Sequence, residues 1–459
     1  MRLQQGLVRG SLGLTIFFVI SGGAGAKGKA QDILVQNTAE LVAAMNPANA
    51  GKTIRINAGT YCPSGPLTLP EGSRILGAGE MEYEDGFPAG FREGTATEIV
   101  PADGGIRCPA ELGKFAGNSV ITLTDGSRLQ GIKISIDLSA GYTFAGNTVI
   151  AHAKGGQTIR TLVSECDIQA RSGPPSIVPP GIPAGRAIQL MTGDGPPNHD
   201  LPGDPSIQAV ISRSVIRGNN TVALFTGQWE SKGRIFLALQ GNVVEEANWT
   251  LDLVGGISRI AAGVSIVTED TTTEVLSIRN LYQGVGATST GWLLTAGANG
   301  PPPGSPSSNR NNLTLTSLSD RIENVGVGVN ARAALRRSPN HGYVNDNTTD
   351  LQMIGTAISS LTTQDPNSFT ADLIFCPVAG QGSATKFDKA GDGNWIYTSA
   401  IGLNGSGTRD NLYEYLAGIC GHMDSTGDDN GMTFWGNARL WEVMNKNIDP
   451  DPPAELFSF

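Results

Sequence analysis

The sequence predicts an all-β fold in which successive coils of the chain stack along one axis as a parallel solenoid. Its main signal is an internal repeat, in which aligned strand-like segments recur in pairs with no helix between them. Such a repeat buries its apolar side chains only against the coils above and below. Glycine (61 residues) and proline (26 residues) are abundant, as many tight corners require. The aligned segments begin GNSVITL at Gly117, GNTVIAH at Gly146, RAIQLMT at Arg186, NNTVALF at Asn219 and NWTLDLV at Asn248.

The second run of each repeat predicts which side chains face the core. Side chains alternate between the two faces of a strand, so each aligned column has one orientation. Cys166 is predicted to face the core, in one column with Ile136, Ser214 and Asn242. The predicted inward column is Ile132, Leu162, Val210 and Ala238, and the predicted outward column is Lys133, Val163, Ile211 and Leu239.

The N-terminus has the pattern of an export signal over residues 1–26. Arg2 and Arg9 form a basic region, residues 12–20 an apolar core, and residues 24–26 a cleavage site of small residues. The apolar core is too short to span a bilayer. We therefore expect a secreted, periplasmic or cell-surface protein with no stable membrane anchor.

The charge balance excludes one class of partner. The formal net charge is −10. An acidic surface is repelled by a phosphate backbone, so we expect no nucleic-acid binding.

The five cysteines suit an oxidising compartment. Cys62 and Cys108 flank the N-terminal segment, while Cys376 and Cys420 lie in the C-terminal one, so two disulfides are predicted within these pairs. Cys166 is left as a buried free thiol, because no histidine aligns beside it to activate a nucleophile.

The chain is predicted to divide into the signal, a solenoid over residues 27–365, and a C-terminal cap or small domain over residues 366–459. A short amphipathic helix after Asn37 would cap the open N-terminal end of the solenoid. The sequence predicts insertions into the coils at 81–116, 171–186, 192–205 and 300–310.

A family resemblance begins with this helix. The helix, the strand and turn GKTIRINAGTY at 51–61 and the run LTLPEGSRILGAG at 67–79 resemble the opening of pectate lyase and pectin lyase-like proteins. The likeness is close over residues 37–80 and continues only as a style of repeat over residues 117–360. It implies a right-handed parallel β-helix. For pectate lyases it also implies β-elimination assisted by carboxylate-bound Ca²⁺ and a basic arginine or lysine.

Charged residues on the second strands suggest a catalytic site. In the alignment, carboxylates and arginines from successive coils stack at outward positions about 4.8 Å apart. Stacked carboxylates can recruit Ca²⁺, and an arginine can bind the carboxylate of an acidic sugar. A surface ladder of ion pairs explains the same residues. The candidate catalytic residues are Asp137, Glu165, Asp167, Arg213 and Arg217.

Two loops beside the strand AIQLM suggest a binding site for sugars. The second loop is rich in acidic residues, and the equivalent loop of the next coil contains a tryptophan. An indole can stack on the apolar face of a sugar while carboxylates bind its hydroxyls. Ordinary solvated loops have the same composition. The candidate substrate-binding residues are Asp194, His199, Asp200, Asp204 and Trp229.

Three functions follow as hypotheses. The first is a secreted protein that interacts with a polysaccharide or glycan, with polysaccharide lyase as one form of it. The second is a non-catalytic adhesion or structural protein of the cell surface, and the third is a glycoside hydrolase. The sequence does not decide whether the protein is an enzyme, because no motif assigns a catalytic position.

Overall fold

The computed structural model describes residues 32–136, 147–170, 185–193, 203–261, 264–299, 304–336, 342–360, 371–380, 393–401, 404–406, 431–436 and 439–444. Within these residues the chain is a parallel β-helix, as predicted. Each regular coil contributes one strand to each of three stacked ladders, here called faces A, B and C. Hydrogen bonds within a face join strands from successive coils, and nearly all of these pairings are parallel.

The strands of face A are β1 (Ile33–Val35), β2 (Thr53–Ile56), β5 (Arg74–Gly77), β10 (Arg128–Gln130), β13 (Thr158–Ser164), β16 (Ser206–Ser212), β19 (Arg234–Gln240), β24 (Thr272–Ile278), β27 (Asn312–Leu318), β29 (Thr348–Ile354), β32 (Trp395–Ile401), β34 (Gly431–Gly436) and β35 (Arg439–Met444). The last pairing, β34 with β35, is antiparallel.

The strands of face B are β3 (Gly59–Tyr61), β8 (Thr97–Ile99), β11 (Ile132–Ile134), β14 (Asp167–Gln169), β17 (Val215–Arg217), β20 (Val243–Ala247), β30 (Ala357–Ser360) and β33 (Asn404–Ser406). The strands of face C are β4 (Leu67–Thr68), β9 (Ser119–Leu123), β12 (Asn147–Ala153), β15 (Arg186–Thr192), β18 (Val222–Gln228), β21 (Trp249–Ala261) and β31 (Ala371–Gly380).

Two long strands run through both faces B and C. They are β25 (Leu281–Asn299) and β28 (Arg321–Arg336). The first part of β25 pairs with β20 and its second part with β21, which joins the two faces into one sheet. The remaining strands form small ribbons: β6 (Met81–Glu84) with β7 (Phe87–Phe91), β22 (Val264–Ile266) with the end of β21, and β23 (Thr268–Glu269) with β26 (Ser308–Asn309).

A short helix caps the N-terminal end, as predicted. Helix α1 (Thr38–Ala44) begins at Asn37, whose side chain accepts a hydrogen bond from the Glu40 backbone amide at 3.0 Å. The Glu40 carboxylate accepts in turn from the Gln36 amide at 2.7 Å, so the helix start is satisfied at both positions. Leu41 and Ala44 are buried. Two 3₁₀ turns, Pro47–Asn49 and Ala110–Leu112, complete the helical elements of the described residues.

The corner between faces A and B depends on residues with positive φ. Glu165, Arg213 and Arg279 have φ of 50°, 49° and 51°, and Gly131 and Gly241 occupy the same place in their coils. The amide of each corner residue donates to the carbonyl of the neighbouring coil, as Arg213 does to Gln240 at 2.9 Å. Each corner therefore continues the stacking of the strands that it joins.

A ladder of buried polar side chains follows these corners. The Asn242 side-chain oxygen accepts from the Ser214 amide at 3.0 Å, and the Asn280 oxygen accepts from the Asn242 amide at 2.9 Å. Asp320 continues the ladder by accepting from the Asn280 amide at 2.7 Å. All four residues are fully buried, so these bonds satisfy polar groups that the turn would otherwise leave unpaired.

The predicted inward column is correct for Ile132, which is buried on face B, and wrong for Leu162, Val210 and Ala238 of face A. Val163, Ile211 and Leu239 are buried in the core, whereas Leu162 and Val210 are half-buried on the outer surface. Every second side chain of β13, counted from Ile159, points inward, so Val163 is inward and Leu162 is on the opposite side. The same holds for Ala238 of β19.

The predicted register is also wrong for the first of the aligned repeats, because Arg128 and not Ile132 pairs with Leu162. Leu129 pairs with Val163, and Ile134 pairs with Ile168. The chain turns at Gly131, so residues 128–134 form two short strands where the alignment assumed one. In the later coils the predicted neighbours Leu162 and Val210, and Val210 and Ala238, pair in register.

The structure has a disulfide between Cys62 and Cys108, and Cys166 is a buried free thiol. Burial raises the pKa of the Cys166 thiol to about 12, which suits an inert side chain. Cys420 and the side chain of Cys376 lie outside the described residues, so their pairing stays a prediction.

Several predicted boundaries also remain predictions. Residues 1–26 lie outside the described part of the chain. The predicted insertion at 81–116 contains the β6–β7 ribbon but also β8, which belongs to face B. Beyond residue 365, the described strands β31 to β34 pair with strands of the three faces. None of the described helices is long and apolar enough to cross a membrane.

Candidate functional site

The outer side of face C holds two arginine–aromatic pairs. The Arg186 guanidinium carbon lies 3.6 Å from the centroid of the Phe225 ring. The Arg259 guanidinium carbon lies 4.0 Å from the centroid of the Trp229 ring. A guanidinium that stacks on a ring by its face keeps its N–H donors directed outward from its edge. In both pairs a positive charge therefore lies directly over an aromatic ring.

The chain positions Arg186 through strand pairing. Arg186 opens β15, and its Nη1 donates to the side-chain oxygen of Gln189 at 2.9 Å. Gln189 pairs in register with Phe225 of the next coil, which brings the ring under the guanidinium. Burial lowers the pKa of Arg186 to about 10, while the Asp252 carboxylate opposes that shift. Arg186 is therefore still a cation at neutral pH.

Trp229 lies where the chain leaves face C for face A. It follows the last residue of β18, and its amide donates to the Thr192 carbonyl of the preceding coil at 2.9 Å. Arg259 reaches it from β21, which extends beyond its neighbours in a ribbon with β22. Burial lowers the pKa of Arg259.

Three donors of these pairs are buried without a hydrogen-bond partner among the described residues. They are Nε of Arg186, Nε of Arg259 and Nε1 of Trp229. A buried donor without a partner costs about 1–3 kcal/mol.

Further polar residues continue along the same face. Phe225 pairs with Asp252, Asp252 with Leu293, and Leu293 with Asn330. The Arg332 Nε donates to the side-chain oxygen of Asn330 at 3.2 Å. Phe225, Asp252, Leu293 and Asn330 thus form a row across four coils in which apolar and polar residues alternate. Neighbouring strands in the row are about 4.8 Å apart.

A second cluster of charges lies on face B around Arg217. Its Nε donates to Asp167 Oδ1 at 3.2 Å, and Nη1 contacts Glu245 and lies 3.4 Å from Glu246 Oε1. The Asp167 side chain is only 6% exposed. Burial raises the pKa of Asp167, and the opposing effect of Arg217 does not cancel it. The same cause raises the pKa of Glu245.

The candidate catalytic residues do not form one cluster. Asp167 and Arg217 are in contact on face B, whereas Glu165 and Arg213 are corner residues that form their own ion pair at 3.0 Å. The register pairs Asp167 with Lys133 of the preceding coil, so the expected neighbour Asp137 is not its partner on that strand. Asp137 itself lies outside the described residues.

The candidate substrate-binding residues are mostly outside the described residues, as Asp194, His199 and Asp200 are. Asp204 is described and exposed, two residues before β16. Trp229 is the one that the structure places on face C. The described residues contain no cluster of three or more His, Cys, Asp or Glu that could hold a metal ion. The possible Ca²⁺ site stays a hypothesis.

The chain was compared with families, curated proteins and solved structures. No family profile and no curated protein sequence matches the chain. The solved structures similar to it include three parallel β-helix proteins. The A-module of mannuronan C-5 epimerase AlgE4 from Azotobacter vinelandii is 14% identical, with a TM-score of 0.26, covering 82% of this chain and 93% of that one.

The other two comparisons are weaker in identity. The tailspike protein of Escherichia coli bacteriophage HK620, solved with a pentasaccharide, is 10% identical with a TM-score of 0.26, covering 86% of this chain and 76% of that one. PfbA, a surface adhesin of Streptococcus pneumoniae, is 9% identical with a TM-score of 0.21, covering 80% of this chain and 86% of that one. At these values the likeness is one of fold alone.

Sequence reasoning missed most of the residues on face C. Arg186, Phe225 and Asp252 lie within runs that were interpreted only as strands. For Phe225 and Asp252 the available signal was their outward position, because each is one residue from an inward neighbour, Leu224 or Leu253. Arg186 is two residues from the inward Ile188, so strand alternation does not find it. An arginine or aspartate at an outward position in an apolar strand indicates a surface that can bind a ligand.

Proposed function

We propose that this protein binds a polysaccharide along the outer side of face C, with acidic sugars as the preferred ligand. The supporting observation is the pair of arginines stacked on aromatic rings, Arg186 on Phe225 and Arg259 on Trp229. Trp229 is half-buried and offers apolar contact to sugar C–H groups at its edge, whereas Phe225 is only 3% exposed and supports the Arg186 guanidinium from below. The guanidinium groups offer donors to carboxylates.

The electrostatics of this face also favour an acidic ligand. The whole chain is acidic, at −10, but three arginines (186, 259 and 332) and two acids, Glu230 and Asp252, lie in or beside the pairs and the row described above. A carboxylate that accepts from Arg186 Nε or Arg259 Nε would satisfy a buried donor. Because the row crosses successive coils, a linear polymer can contact several of them at once, and each contact adds to the affinity.

Binding is tested by calorimetry with acidic and neutral oligosaccharides of equal length. Arg186→Gln combined with Arg259→Gln should weaken binding of the acidic oligosaccharide at least tenfold and affect the neutral one less. Arg279→Gln is the matched control, because Arg279 is an exposed corner residue away from face C. If the double variant binds like the control, or if the unaltered protein binds no oligosaccharide, the proposal fails.

Turnover by β-elimination is a second candidate, supported by the arrangement of a cation and a carboxylate on one face. Arg186 would neutralise the carboxylate of a uronic acid, which makes the adjacent C–H more acidic. Asp252, on the same face, would take that proton while the glycosidic oxygen at the β carbon leaves. The test follows the absorbance of unsaturated products with and without chelator. Binding without product favours an adhesin, and new reducing ends without unsaturation favour a glycoside hydrolase.

We also propose that the protein is exported and then secreted, periplasmic or attached to the cell surface. Support comes from the signal pattern in residues 1–26 and from the disulfide between Cys62 and Cys108, which persists in an oxidising compartment. Cell fractionation of the whole chain, and of a chain that lacks residues 2–26, tests this. Equal cytoplasmic retention of both would contradict it.

A further inference from the structure

The outer side of face A carries a continuous apolar row. Leu162, Val210, Ala238 and Leu276 pair in register across four successive coils, and all four are half-buried. A second apolar row lies two residues further along the strands and consists of Ile278, Leu318 and Ile354. Ile354 is 43% exposed. Contiguous apolar rows on a flat sheet are typical of an interaction surface.

The charges around this row are separated along the axis of the β-helix. Arg74 and Arg128 lie in the same column as Leu162, in the two coils before it. Neither takes part in a salt bridge among the described residues. Arg160 lies in the coil where the apolar row begins. Glu274 lies in the coil where that row ends, and Asp350 follows two coils later in the same column. In these two columns the arginines therefore lie at or before the start of the apolar row and the acids at or after its end, with Arg160 also paired to Asp125.

The order of these residues is symmetric about the gap between β16 and β19. The second strand on one side of the gap is β13, which contains Arg160 and Leu162. The second strand on the other side is β24, which contains Glu274 and Leu276. Arg160 and Glu274 also occupy the same position within their strands, since Arg160 pairs with Gln208, Gln208 with Phe236, and Phe236 with Glu274.

We propose that two copies of this chain associate through face A as a two-fold dimer with antiparallel β-helix axes. A two-fold axis along the strand direction, between β16 and β19, places Leu162 of one copy opposite Leu276 of the other. It also places Val210 opposite Ala238 and Arg160 opposite Glu274. Such an interface is self-complementary, because every contact occurs twice.

The size of the surface suits a stable dimer. Eight strands from β5 to β29 at about 4.8 Å spacing, with about 20 Å of usable strand length, give on the order of 800 Å² per copy. A standard interface buries about this area on each partner. Arg160 also forms an ion pair with Asp125 at 2.7 Å but is 61% exposed, so its outer edge can reach a partner.

The experiment uses the whole chain and measures mass by sedimentation and light scattering. The unaltered protein should have twice the chain mass at micromolar concentration. Val210→Lys should dissociate it, by at least tenfold in Kd, without lowering the melting temperature of the isolated chain. Val42→Lys, on the exposed side of the capping helix, is the control and should remain dimeric.

Charge reversal tests the antiparallel arrangement itself. Arg160→Glu alone places two acids opposite each other, and Glu274→Arg alone places two bases opposite each other, so each variant should be monomeric. An equimolar mixture of the two should form a heterodimer, because both contacts then join opposite charges. A monomeric or trimeric unaltered protein, a dimer indifferent to Val210→Lys, or no recovery on mixing would each overturn the proposal.

Discussion

The Arg186 guanidinium lies over the Phe225 ring at 3.6 Å, and Phe225 pairs in register with Asp252 of the following coil. A cation, an aromatic ring and a carboxylate thus come from three successive strands of one face. The strand pairing fixes their spacing, so the arrangement needs no ligand to form. A preformed site loses less conformational entropy when it binds.

Trp229 tests the aromatic part of this site. We expect Trp229→Ala to weaken oligosaccharide binding by about 1–3 kcal/mol, the scale of a well-packed aromatic contact. Isothermal calorimetry measures the change. Tyr397→Ala removes an aromatic side chain that is 45% exposed on face A and serves as the control. Equal affinities for both variants would remove Trp229 from the site.

Arg217 tests whether the charged cluster of face B supports the fold. Arg217→Met leaves the buried Asp167 and the half-buried Glu245 without their cation, so we expect a loss of about 3 kcal/mol in unfolding free energy. Arg321→Met removes a single ion pair from an arginine that is 48% exposed, and should change stability by about 0.5 kcal/mol or less. Denaturant titration compares them. Similar losses would show that the cluster contributes little to stability.

The corrected register makes opposite predictions for adjacent residues. Ile211→Asp places a carboxylate in the core and should prevent stable folding, whereas Val210→Asp should preserve it. Circular dichroism and thermal melting distinguish the two outcomes. The reverse result would restore the column first predicted from sequence.

Asp320 predicts a dependence of stability on pH. Burial raises the pKa of Asp320 although Ser277 and Asn280 donate hydrogen bonds to it. Its stabilising contribution is therefore complete below the unfolded pKa and is lost as pH rises through the folded pKa. Asp320→Asn continues the asparagine ladder without a charge, so it should be more stable than the unaltered protein at pH 7, by on the order of 1 kcal/mol.

Asp125 provides a control of opposite sign. Its hydrogen bond from Arg160 lowers the pKa of Asp125, so its contribution is present above the unfolded pKa and is lost as pH falls through the folded pKa. Asp125→Asn should be less stable at pH 7. Melting curves at pH 4 and pH 7 measure both variants, and the Asp320→Asn gain should shrink at pH 4. A gain independent of pH would contradict the argument.

Sequence alone determined the solenoid, the capping helix after Asn37 and the buried position of Cys166. Each depends on local or repeated signals: a cap residue before an amphipathic segment, and strand pairs that recur with the same columns. The pairing of β13 with β16 followed directly from the aligned columns, because both strands have seven residues and equal corners.

Tertiary structure decided the orientation of the face A strands and the composition of the site. The corner at Gly131 divides one apolar run into two strands, and a run of letters does not show where an amide will pair with the next coil. Arg259 reaches Trp229 from 30 residues away only because β21 extends past its neighbours. Contacts between coils depend on register, and register is fixed by hydrogen bonds that form only when the coils stack.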